Sequence, residues 1–166
     1  MATNSIAMNS PERIGASPAS HAILAAGLLC GAMDITAAFL LAWFPDHYSP
    51  KRLLQGIAAG LFGRSSYQHG WITAALGLAF HFLIAFIAAA AFYAASRKIP
   101  ALIKHPWFAG VGYALVVYGF MYWIVMPLSR LHRHPVTLSY SLTAIVTHIV
   151  CVGLPISLVV HRFSRP

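Results

Sequence analysis

The chain has 166 residues, of which 59% are hydrophobic and only 8% charged. A soluble domain usually carries about 25% charged residues, so this composition excludes an ordinary water-solvated globule and suits lipid. The net charge is +8, but the 11 Lys and Arg are scattered between apolar runs. That spread fits flanks facing anionic headgroups and excludes a nucleic-acid footprint, which would cluster them on one element. Cys30 and Cys151 both lie inside apolar runs, which argues against a disulfide framework.

Residues 1–20 are rich in Ser, Ala, Asn and Pro without periodic apolar positions, and are expected to form a disordered tail before a single membrane domain at 21–166. The first apolar run covers 22–44 and ends at Pro45. It is too long for a signal-peptide core and no small-residue cleavage site follows it, so it reads as a retained signal anchor. Further runs cover 71–95, 106–128 and 138–160, each of 23 to 25 residues. A spanning helix needs about 20, so the expected fold class is an all-α bundle of four transmembrane helices. Trp43, Trp71, Trp107 and Trp123 lie at or near the run ends, as an interfacial belt requires.

Segment 51–64 is too short to span. Leu53, Leu54, Ile57, Leu61 and Phe62 recur at helical spacing, with Lys51, Arg52, Gln55 and Arg64 elsewhere. It is expected to be an amphipathic helix lying in the interface. The alternative is a re-entrant segment packed through Gly56, Gly60 and Gly63.

Four spans put both termini on one side. Arg13, Arg97, Lys98, Lys104, Arg162 and Arg165 share that side, against Lys51, Arg52, Arg64, Arg130 and Arg133 on the other. The totals nearly balance. The tight loop carrying Arg97, Lys98 and Lys104 leans toward cytoplasmic termini. No internal repeat is visible, so an inverted-repeat transporter within one chain is not supported.

The few polar groups inside the runs carry the functional signal. Asp34, His81, Tyr118 and His148 each fall within two residues of a span centre, which is within ~3 Å of the midplane at the helical rise. An ionised carboxylate facing lipid costs at least ~3 kcal/mol, so these groups are expected to face inward. Asp34 either holds a proton, because desolvation disfavours the charge, or stays ionised beside an imidazolium of His81 or His148. Tyr118 is placed to donate to either partner. The cluster reads in three ways: interhelical packing without turnover, a proton or ion path, or metal or haem ligation.

For a metal, Cys30 and Asp34 share one helix face and His148 and Cys151 another, with His81 nearby. No CxxC or HxxxH spacing reinforces that set. His81 and His148 at similar depth are the only bis-histidine candidate for haem. No cofactor is predicted. Gly27 and Gly31 form a GxxxG, expected to pack within the chain rather than in a dimer. Pro155 removes a donor and is expected to kink the fourth span and free the carbonyl of Cys151. Pro127 is expected to mark the end of the third. Asp46, His47, His69, His132 and His134 share one face as solvated residues, with pH sensing or metal capture as the sharper reading.

The stretches GLLCGAMDITAAF, LGLAFHFLIAFIAAAAFYAASRKIP, IVMPLS and THIVCVGLPISLVV cover about two-thirds of the chain. In that order they resemble a loose group of small bacterial inner-membrane proteins of the YagU type. The resemblance implies an integral protein of the bacterial inner membrane. It supplies no catalytic residues. No nucleophile–base pair, phosphate loop or paired carboxylates is visible, so an enzyme is not expected. The leading expectation is a structural or accessory membrane protein with lipid, a second copy or another membrane protein as partner. The alternative is a small proton- or ion-coupled transporter using Asp34, His81, Tyr118 and His148. The third is a haem- or metal-binding membrane protein.

Overall fold

The computed structural model describes residues 18–131 and 137–164; the expected tail at 1–17, and His132, Arg133 and His134, lie outside them. Four helices are long and apolar enough to cross a bilayer: Pro18–Phe44, Gly70–Lys98, Pro106–Leu128 and Leu138–Phe163. Their 23 to 29 residues give lengths of roughly 35–44 Å at 1.5 Å per residue, against a ~30 Å hydrocarbon core. Helix is the form these runs must take, because lipid offers no partner to a backbone N–H or C=O. No strand occurs among the described residues. The outer surface is apolar: Phe108 is 82% exposed and Leu138 76%. Such a surface requires lipid rather than water.

The elements in order are α1 (Pro18–Asp46), α2 (Pro50–Phe62), a 3₁₀ turn (Arg64–Gln68), α3 (Gly70–Lys98) and α4 (Ala101–Lys104). The third span is α5 (Pro106–Phe120), a π-helical turn (Met121–Val125) and α6 (Met126–Leu128). The fourth is α7 (Leu138–His148), a second π turn (Ile149–Gly153) and α8 (Leu154–Phe163). Residues 18–20, expected in the tail, open α1 instead.

Local signals set the boundaries of α2. The Ser49 side chain accepts from the Arg52 N–H, Pro50 occupies the first turn, and Gly63 ends the helix at φ 80°. That backbone conformation suits glycine. The inner face of α2 is packed rather than laid on lipid: Leu54, Gln55, Ala58 and Ala59 are buried, while Leu61 and Phe62 stay exposed. The glycine that permits this approach is Gly77 of α3, where an added Cβ would strike the Leu54 carbonyl. Gly56, Gly60 and Gly63 have no comparably close neighbour. The Gly60 carbonyl instead accepts from the Arg130 N–H at 2.8 Å, which ties the end of the third span to α2.

α1 packs between α3 and the fourth span, and α5 packs on the fourth span. Gly27 and Gly31 serve this packing, facing the rings of Phe86 and Phe82 on α3. Gly110 and Gly153 bring α5 and the second π turn into backbone contact. The central cluster is Ala26, Cys30, Ala85, Ala89, Phe92, Val152, Ile156 and Val160.

Both π turns answer a proline. Pro155 cannot donate to the Cys151 carbonyl, and the Leu154 N–H reaches back five residues to Ile149. Before Pro127 the Met126 N–H reaches Met121 in the same way. The expected kink at Pro155 is thus a local widening of the helix, which places the irregular backbone directly after His148.

Candidate functional site: a one-sided polar cleft ending at Asp34

Asp34, His81 and His148 come from three helices and line one inner cavity of about 130 Å³, together with Cys30, Ile57 and Met121. Ile57 brings α2 into contact with the same space.

Each histidine is committed to a backbone carbonyl. His81 Nε2 is 3.0 Å from the Gly31 oxygen, and His148 Nδ1 is 2.8 Å from the Ala144 oxygen one turn earlier. A carbonyl only accepts, so the proton sits on Nε2 of His81 and on Nδ1 of His148. The other ring nitrogen of each remains for the site.

Asp34 makes no hydrogen bond or ion pair among the described residues. Of the two alternatives for Asp34, the imidazolium pair is not formed among the described residues: each imidazole spends one N–H on a backbone carbonyl and neither bonds the carboxyl group. Tyr118 is corrected. It does not line the inner cavity. Its ring meets His148 edge-on, centroids 5.7 Å apart, and stacks on Tyr122 at 6.0 Å. Tyr118 positions the imidazole by ring contact.

The metal set does not form either. No three His, Cys, Asp or Glu among the described residues stand close enough to hold an ion. Cys30, Asp34 and His148 line the inner cavity, whereas Cys151 faces a groove with Ala32, Met33 and Thr36. Both thiols are free and buried. On the loop face, His69 Nδ1 donates to the Ser65 carbonyl at 2.8 Å and His47 packs edge-on against Trp43. The side chain of Asp46 lies outside the described residues.

A wider cleft of about 700 Å³ lies beside this cavity, between α1 and α7. Asp34 and His148 belong to both spaces. The cleft runs from Phe44 and Tyr140 inward to Asp34 and His148, a depth of roughly 12–15 Å along the two helices. One wall is a polar stripe: Tyr140, Thr143, Thr147 and His148 lie at helical spacing on α7. That i, i+3, i+7, i+8 pattern is present in the sequence, but only its last member, His148, stands out there as an isolated midplane group. Beyond Asp34 the way is closed by Ala26, Ile156 and Val160, all fully buried.

The fold defines an all-α, multi-pass membrane bundle, with Asp34 and His148 at the inner end of a cleft. Comparison with protein-family models, with curated proteins and with solved structures finds no match to this chain.

Proposed function

We propose that the protein is a small proton- or cation-coupled carrier that takes its ion at Asp34 through the α1–α7 cleft. The observation that carries this reading is one carboxyl group, without a counter-charge among the described residues, at the inner end of a cleft with one polar wall. Intramembrane carboxylates facing a bundle interior mark ion pathways, and a carrier needs access to its site from one side at a time. The π turn after His148 supplies backbone able to rearrange as the fourth span moves. No catalytic turnover belongs to this reading. The same proposal places the chain in a bacterial inner membrane with cytoplasmic termini, supported by Arg97, Lys98 and Lys104 in the short loop on that side.

A second reading, an accessory protein that holds another membrane protein, is favoured by one feature. An apolar groove of about 680 Å³ runs between α3 and α5, lined by Phe92, Leu102, Phe108, Gly112 and Val116.

Reconstituted liposomes separate the two. Under the carrier reading, wild type dissipates an imposed proton or cation gradient and Asp34→Asn does not. If wild type conducts nothing, and its melting in detergent from about pH 5 to 8 matches that of Asp34→Asn, then Asp34 is inert packing. The accessory reading then stands, to be pursued by co-purification.

A further inference from the structure

The chemistry of the cleft narrows the kind of cation. Three of the donors at the inner end are already spent on backbone. Thr147 donates its hydroxyl to the Thr143 carbonyl at 2.9 Å. His148 Nδ1–H donates to Ala144 and His81 Nε2–H to Gly31. What remains toward the cavity is lone pairs: the Thr147 oxygen, His148 Nε2, His81 Nδ1 and the Asp34 carboxylate. The Tyr140 and Thr143 hydroxyls can turn to give or accept. No Lys or Arg lines either cavity. In a chain of net charge +8, the interior is therefore locally rich in acceptors and free of basic Lys and Arg side chains. It disfavours an anion and calls for a positively charged donor.

The outer part of the cleft differs. Leu40, Leu41, Phe44 and Leu53 make most of its wall apolar. Its volume of about 700 Å³ falls within the ~300–1,000 Å³ of small-molecule sites, which pair apolar walls with a few convergent polar groups. A bare inorganic ion makes no use of such walls. The inner cavity, at about 130 Å³, has room for a few waters or a headgroup but not for a ligand body.

We propose that the cleft binds a protonated amine with an apolar body. Its ammonium N–H groups point at Asp34, Thr147 and His148, and its body lies between Leu41, Phe44 and Tyr140. Three donors on one nitrogen match three acceptors, so a primary ammonium fits better than a quaternary one, which keeps the charge but has no N–H. This inference rests on the carrier reading of Asp34 and specifies its ligand.

The test is equilibrium binding to the full chain in detergent and in nanodiscs. The probes are 2-phenylethylammonium, its N,N,N-trimethyl analogue and Na⁺. The primary ammonium is expected to saturate one site and to bind about tenfold or more tighter than the trimethyl form, as loss of the hydrogen bonds implies. Asp34→Asn is expected to weaken it by about tenfold or more, and Thr147→Val by about threefold to tenfold. Should Asp34→Asn not fold, Thr147→Val carries the test, since it removes one acceptor at nearly constant volume. Equal binding of the two organic cations overturns the proposal, as does undiminished binding by both variants. Flux of protons or Na⁺ that needs Asp34, without binding of the amine, overturns this inference and leaves the carrier reading. Neither flux nor amine binding removes both.

Discussion

The two ends of the bundle are built differently. At the end carrying the termini, α1, α3, α5 and α8 close on one another: Ala22, Ala26, Ala89, Ile156 and Val160 are fully buried. Side chains reach across to other elements. Ser157 donates to the Pro106 carbonyl, Tyr113 to Ala88, and His161 Nδ1 to Ile103, all at 2.6 to 2.7 Å. At the other end α1 and α7 stand apart, and no hydrogen bond joins them among the described residues. The bonds there belong to the α2 hairpin: Gln55 Nε2 donates to Gly70, and the Thr73 hydroxyl to Ser66. One end is packed shut and the other opens into a cleft, and Asp34 sits at the boundary. Packing that excludes everything from one end is what makes the opposite end a site with a floor.

That contrast can be broken hardest at the closed end. Gly153→Leu would drive a side chain into the Gly110 backbone, and is expected to cost about 3 kcal/mol or more. The readout is loss of folded protein in a detergent melt. Ile156→Ala should cost about 2–4 kcal/mol, because a fully buried side chain leaves a cavity that cannot collapse. Leu41→Ala in the open wall should cost less than about 1 kcal/mol, being exposed to lipid and cleft. Equal losses for that pair would mean that the cleft is packed shut. His81→Phe removes the bond to Gly31 and should cost about 0.6–2 kcal/mol. Asp34→Asn should leave the melt unchanged or raise it, since the carboxyl group it replaces makes no hydrogen bond or ion pair among the described residues.

The smallest effect concerns the hairpin over the open end. Burial, with Tyr48 beside it, pushes the Tyr67 phenol above its usual value. The neutral phenol is the form the fold favours, so its contribution is whole below about pH 10 and fades as pH rises through the raised value. Ultraviolet titration of tyrosinate should lose a component that ionises above the usual tyrosine range in Tyr67→Phe.

Much of this was legible without coordinates. The four-span bundle follows from uninterrupted apolar runs, because lipid forces backbone groups to pair within a helix. The shared depth of Asp34, His81 and His148 follows from residue number and helical rise alone. Their partners were not legible. A carboxylate beside two histidines suggests ion pairing, yet both imidazoles turned to backbone carbonyls. Tyr118 shows the same limit: depth placed it beside His148, while rotation about the helix axis presented its ring.

The sequence by itself therefore determined which segments enter the membrane, how long they are and how deep each polar group lies. These depend on transfer from water and on rise per residue, both local quantities. Only the tertiary structure decided which groups meet, how the prolines resolve into π turns and why one end stays open. Those outcomes depend on contacts such as Leu54 on Gly77 and Gly110 on Gly153, where two distant segments must approach before either surface has meaning.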